Sequence, residues 1–131
     1  MQQSNMLLND NEHKFVGIHV LAEVYGVDQD KLDDLKLLLN SMEKGIELSG
    51  ATLCDIKYKK FEPQGCTIVA VLSESHVSFH SYPEMGCAFI DAFTCGFNCN
   101  PIKIIEQLSS DLQPTQVESR ELRRGKIDIE V

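Results

Sequence analysis

The densest concentration of reactive side chains in this sequence is Leu72-Ser73-Glu74-Ser75-His76-Val77-Ser78-Phe79-His80-Ser81-Tyr82-Pro83-Glu84. Hydroxyls, imidazoles and carboxylates crowd into this one segment. A metal site would use His76 and His80. Val77, Phe79 and Pro83 favour extended chain, where a four-residue step covers about 13 Å at roughly 3.3 Å per residue, too far for one ion. No metal is therefore expected. Cys95 and Cys99 stand in a C-x-x-x-C arrangement, wider than the close pair typical of zinc, and no second pair complements them. Nucleophilic catalysis would use Ser75 or Cys95 activated by His80. The plainer alternative is a solvated strand face, with Cys95 a small buried hydrophobe. The pattern alone leaves those two readings open.

The elements that must position these groups follow from hydrophobic periodicity. From Val16 to Val24 the even positions are apolar, while the odd ones include Gly17, His19 and Glu23, the period of a strand with one buried face. Leu32, Leu35, Leu39, Met42 and Ile46 recur at three- and four-residue steps between the acidic run Asp28 to Asp30 and Gly50, which predicts one long amphipathic helix closed by a glycine cap. The runs Ala51 to Tyr58 and Cys66 to Leu72 predict a hairpin across Phe61-Glu62-Pro63-Gln64-Gly65. Two further strands are expected around Val77 to Phe79 and Gly86 to Thr94. Asn100-Pro101 opens a short helix buried through Ile105, Leu108 and Leu112 and stopped by Pro114, and Val117 to Leu122 reads as a last strand. Both extreme ends are polar enough to be mobile. This order predicts an α+β two-layer sandwich, a mainly antiparallel sheet with helices packed on one face.

Composition narrows the function. The 131 residues suit a single domain, 1–131, with no repeat or linker. A net charge of −8 repels phosphate backbones, so nucleic acid is not expected as a partner. No apolar run approaches the roughly 18 residues of a membrane span, and MQQSNMLLNDNEHK lacks the basic start and apolar core of an export signal. Five cysteines in such a chain favour free thiols, and a cytoplasmic location is expected. No phosphate-cradling G-x-x-x-x-G-K loop is present.

The stretch Leu72 to Glu84, followed by Ile90-Asp-Ala-Phe-Thr-Cys-Gly96, resembles the signature of the small prokaryotic S-adenosylmethionine decarboxylases. The resemblance begins at Gly17-Ile-His-Val-Leu-Ala-Glu-Val-Tyr-Gly26, passes through Phe61 to Gly65 and ends at Arg120-Glu-Leu-Arg-Arg-Gly125. It implies a proenzyme that cuts itself between Glu74 and Ser75 into a beta chain, 1–74, and an alpha chain, 75–131. Ser75 would thereby become a covalent pyruvoyl cofactor, an electron sink for decarboxylation. Self-cleavage needs a strained Glu74–Ser75 peptide, an oxyanion stabiliser and a base. The resemblance gives the base to His80 and an assisting hydroxyl to Thr67, and makes Cys95 the proton donor in turnover.

Substrate recognition carries over onto Phe61 and Tyr82, the rings that would sandwich adenine, and Glu84, which would hold the ribose hydroxyls. Tyr82 stands where tryptophan is usual, and Met85-Gly86-Cys87 where the family has aromatics around the glycine. The resemblance implies S-adenosylmethionine as substrate, a role in spermidine synthesis, no separately bound organic cofactor, and a homodimer of cleaved protomers with each site near the subunit interface. The alternative on the same fold is a pyruvoyl-dependent arginine or ornithine decarboxylase.

Overall fold

The computed structural model describes residues 16–125; the expectation for the two extreme ends concerns residues outside that range. In chain order the elements are β1 (Gly17–Tyr25), α1 (Gln29–Leu32), α2 (Leu35–Ser49), β2 (Leu53–Lys60), β3 (Cys66–Leu72), β4 (Ser75–Tyr82), a 3-10 turn (Pro83–Met85), β5 (Cys87–Cys95), α3 (Ile102–Leu112) and β6 (Gln116–Arg124). The strands form one antiparallel sheet in the order β2-β3-β4-β5-β1-β6. The chain thus adopts the two-layer α+β arrangement that its periodicity predicts.

Alternation decides which face of the sheet is covered. Val20, Ala22 and Val24 of β1, Ile68 and Ala70 of β3, Val77 and Phe79 of β4, and Ala88, Ile90 and Ala92 of β5 are buried. They form one core with Leu38, Met42 and Ile46 of α2 and Ile104, Ile105, Leu108 and Leu112 of α3. Successive side chains on a strand point to opposite faces. Thr67, Val69, Val71, His76, Ser78, His80, Phe89, Asp91, Phe93, Cys95, His19 and Leu21 therefore share the other face, and all of them are half-buried or exposed. Among the described residues, no helix is long and apolar enough to cross a membrane.

The single long helix predicted before Gly50 is instead two. The Asp28 carboxylate accepts from the Asp30 amide at the start of α1, and the Asp34 carboxylate accepts from the Leu37 amide at the start of α2. Aspartate side chains satisfy the orphan amides that open a helix, so a second aspartate inside an apolar periodicity begins a new helix there. Leu32, Met42 and Ile46 of the predicted stripe are buried, but Leu38 takes the place of Leu35 and Leu39, which lie partly buried at its margin.

Two connections shape the reactive end of the sheet. Leu72 pairs with Ser75, so Ser73 and Glu74 alone turn the chain between β3 and β4. Gly50 ends α2 in the left-handed conformation at φ 89, and a Cβ placed there would lie 2.7 Å from the Asn98 carbonyl oxygen in the loop that follows β5. Gly50→Ala is expected to cost about 1–2 kcal/mol from the left-handed backbone alone. Crowding of Asn98 should add to that loss, and a thermal unfolding midpoint unchanged from wild type would contradict it.

Candidate functional site

Glu74 occupies the tip of the β3–β4 hairpin at φ 61. An L-residue in that left-handed well is strained by roughly 1–3 kcal/mol, and the strain lies on the residue whose carbonyl leads into Ser75. Here β4 begins beside the end of β5. The Cys95 amide donates to Ser75 Oγ at 3.1 Å, and Cys95 Sγ donates to the Glu74 carbonyl oxygen at 3.2 Å. One residue thus holds both partners of a prospective acyl transfer, the hydroxyl nucleophile through its backbone and the carbonyl through its thiol. An S–H pointing at that oxygen stands where negative charge would grow if Ser75 attacked the Glu74 carbonyl carbon. The predicted residues Glu74, Ser75 and Cys95 therefore converge.

A second group gathers at the far end of β4. Thr67 Oγ1 and His80 Nδ1 lie 3.0 Å apart across the β3–β4 ladder. Both line a cleft of about 360 Å³ together with Phe61, Tyr82 and Glu84. Its volume lies within the range of small-molecule sites, and two rings and one carboxylate facing a common space suit a ligand with a flat heterocycle and vicinal hydroxyls. Tyr82 also packs on Phe89, ring centroids 5.1 Å apart and tilted by 56°. Cys66 borders the cleft with its sulfur 3.4 Å from Ser81 Oγ, and burial pushes its thiol pKa up, keeping it protonated and inert.

These two groups do not meet within one chain. Ser75 and His80 lie on the same strand, and five residues of extended backbone span about 16 Å. Cys95 is as remote, since His80 pairs with Phe89, six residues earlier on β5. The two groups stand at opposite ends of one sheet face.

Between them lies a cluster that sequence reasoning missed. Asp91 Oδ1 is 3.0 Å from His19 Nε2 and 2.9 Å from His76 Nε2, and Asp91 Oδ2 accepts from the Ser78 hydroxyl. Burial works to raise the Asp91 carboxyl pKa, but the bonds from Ser78, His19 and His76 outweigh it and hold it below the ordinary carboxylate value. An ionised carboxylate only accepts, so both imidazoles present N–H to it. The three side chains place ligand atoms within 4.8 Å of one another, as a metal site would. Arg124, however, donates to His19 Nδ1 at 3.4 Å. Nδ1 is thereby the acceptor and Nε2 carries the proton, the reverse of what ligation through Nε2 demands. The cluster is a hydrogen-bonded clasp. Its sequence signal was faint: His19 falls on the polar phase of β1, and Asp91 is a lone charge inside an apolar run.

A family model described as S-adenosylmethionine decarboxylase matches residues 18–125. An S-adenosylmethionine decarboxylase proenzyme from Methanococcus vannielii is 41% identical over 117 residues, covering 89% of this chain and 96% of its own. Another from Brevibacillus brevis is 39% identical over 120 residues, covering 92% and 90%. The crystal structure of the adenosylmethionine decarboxylase from Aquifex aeolicus superposes with a TM-score of 0.81 at 31% identity, covering 90% of this chain and 98% of that one.

The clasp makes a pH-dependent contribution whose sign follows from Asp91. A carboxyl with a lowered folded pKa stabilises the fold above its unfolded value of about 3.9, and that contribution is lost as pH falls through the lower folded value. Asp91→Ala leaves three donors unpaired and is expected to cost about 1–3 kcal/mol at pH 7. Urea unfolding at pH 7 and at pH 3 should show the gap to wild type shrinking with acid; an equal gap at both would refute this account.

Proposed function

The chain belongs to the S-adenosylmethionine decarboxylase family, and from that membership we propose that it cuts itself between Glu74 and Ser75 and then decarboxylates S-adenosylmethionine to the aminopropyl donor of spermidine synthesis. The observation that carries this reading is the pair of contacts Cys95 makes at the hairpin tip, one to Ser75 Oγ and one to the Glu74 carbonyl. Attack by Ser75 Oγ on that carbonyl forms a C–O bond and breaks the C–N bond, and the hydroxyl proton passes to the departing nitrogen. Glu74 strain favours departure, and the Cys95 thiol stabilises the oxyanion. Loss of the Ser75 Cα hydrogen to a base then releases the Glu74 carboxylate and leaves a dehydroalanine at position 75, whose imine takes up water and loses ammonia to give residues 1–74 and a pyruvoyl-headed 75–131. That group, once formed, supplies the electron sink that lets carboxylate leave as CO₂. Cys95, which contacts both residues of the bond to be cut, is the donor that returns a proton.

The base presents a geometric demand. His80 is about 16 Å from Ser75 in its own chain, so the base at each hairpin tip is His80 of the partner subunit. The uncovered sheet face fits that pairing. Val69, Val71, Phe89 and Leu122 are exposed, the last by 52%, on a face that no helix among the described residues covers. Two such faces packed about a two-fold axis would lay the Ser75 end of one sheet over the His80 end of the other. Each complete site would then draw its hairpin tip from one protomer and its nucleoside cleft, with Phe61, Thr67, Tyr82 and Glu84, from the other. The chain acts as one domain, and its five thiols, none bridged, suit a reducing cytoplasm.

Ser75→Ala should remain a single uncleaved chain on a denaturing gel. It should release no CO₂ from carboxyl-labelled S-adenosylmethionine. Cys95→Ala should lose roughly 10²–10⁴ in turnover. It should also cut more slowly, by less than the ~10²–10³ of a full oxyanion donor because a thiol donates weakly. Ser75→Ala and His80→Ala chains, each dead alone, should regain activity when co-expressed, with only the His80→Ala chain cleaved. Activity from Ser75→Ala protein by itself would end the pyruvoyl reading. Failure of the mixed dimer to cut would place the whole site in one chain.

A further inference from the structure

The Asp91 clasp is not among the groups that act at either half-site, yet it grips the residue immediately after the scissile bond's serine. We propose that Asp91 is a positioning residue for self-cleavage, holding Ser75 in attack register through the His76 ring; this rests on the self-cleaving reading of the hairpin tip. The clasp spans the three neighbouring strands β4, β5 and β1. His76 and Ser78 come from β4, Asp91 from β5 and His19 from β1. Its centre is Phe93, paired with both His76 and His19 and two residues before Cys95. The two imidazoles flank the Phe93 ring at centroid distances of 6.0 and 5.5 Å, and the Arg124 guanidinium lies over it at 4.7 Å.

The need for such a clamp follows from where the reaction occurs. Ser75 is the first residue of β4, joined to a turn that contains the strained Glu74, and strand ends fray more readily than strand middles. Strain at Glu74 favours bond breaking, but it also pushes the hairpin tip toward relaxed conformations in which Ser75 Oγ leaves the Cys95 amide. Two bonds from one ionised carboxylate to His76 and Ser78 fix the β4 end against β5, and the third to His19 carries the restraint to β1, where Gly17 pairs with Cys95. Gly17 itself leaves room for this. A Cβ there would lie 2.6 Å from the Phe93 ring and 2.7 Å from the Thr94 carbonyl oxygen. The restraint acts on the first step alone, in which the Ser75 oxygen bonds to the Glu74 carbonyl carbon as the C–N bond breaks and the proton moves to nitrogen.

Asp91→Asn keeps the shape but replaces one acceptor oxygen with a donor amide facing N–H groups. Cleavage of the freshly purified full chain, followed on gels, is expected to slow by roughly 10²-fold, the usual effect of a misplacement near 1 Å. Hydroxylamine, which cleaves esters, should not restore it, because no ester accumulates before the slow step. The same reagent should cut His80→Ala protein, in which the ester forms and waits for its base. His76→Ala should reproduce the defect, and the double variant should be no slower than either single one, since both remove one coupled contact. A chelator should leave wild-type cleavage unchanged.

Wild-type cleavage rates in Asp91→Asn, rescue of that variant by hydroxylamine, additive defects in the double variant, or arrest of the wild type by a chelator would each overturn the proposal. A drop in thermal midpoint with unchanged cleavage would do so too, by reducing Asp91 to a stabilising contact. If wild-type protein itself never cuts, the self-cleaving reading fails instead, so the two failures are distinguishable.

Discussion

An extended strand is a ruler: its residues stand about 3.3 Å apart, and no side-chain rotation shortens the interval much. β4 places Ser75 at one end and His80 near the other, and both ladders flanking it are in continuous register. The candidate site residues of this chain are arranged around that interval. The residues that would break the peptide bond lie at one end, the residues that would bind a nucleoside and take up a proton lie at the other, and neither end is sufficient. The uncovered face between them therefore has a purpose beyond leaving a sheet half wet. A small two-layer domain has little concavity of its own. In the proposed dimer, facing a second copy would convert an open sheet into the wall of an enclosed space.

The middle of that face shows how a polar cluster can serve rigidity. A carboxylate that accepts from three donors on two neighbouring strands is costly to disturb, because each donor would lose its partner in a partly desolvated setting. Arg124 closes the arrangement by setting the His19 tautomer, which makes the same three ligating residue types unsuitable for an ion. Residue types alone would not separate a metal site from a clasp; the proton inventory does.

Much of the architecture was legible in the sequence. Alternation in β1 and the apolar runs of β3 and β5 announced half-buried strands, and Gly50 and Asn100-Pro101 marked helix ends correctly, because these signals are local. The helix broken at Asp34 was missed because an aspartate within an apolar periodicity reads as surface charge until its carboxylate is seen on the Leu37 amide. The candidate residues stand out in the sequence as a set, through Glu74-Ser75-His76, His80 and Phe-Thr-Cys-Gly. Their division into two halves was implicit in the strand itself: the spacing that excludes a shared ion for His76 and His80 also separates His80 from Ser75. The Asp91 clasp was illegible for a different reason. It joins positions 19, 76 and 91, and nothing in a linear pattern says that β1 lies beside β5.

The sheet order has one more consequence, and it concerns time. Residues 1–74 contribute β1, β2 and β3, and residues 75–131 contribute β4, β5 and β6. In the order β2-β3-β4-β5-β1-β6 the two sets alternate, so they meet along three seams. A nick at the β3–β4 tip cuts no ladder, and the pieces stay laced like the halves of a zipper whose slider has been removed. The same lacing sets a schedule. Among the described residues β1 is the first strand, yet both its neighbours, β5 and β6, lie within residues 87–124. Contacts that distant in sequence form slowly. The Ser75–Cys95 contact needs β5, and the His19 arm of the clasp needs β1 docked beside it. Assembly of the reactive tip therefore waits until β5 has been made and β1 has docked beside it, and a chain that stops before Cys95 lacks the contact altogether.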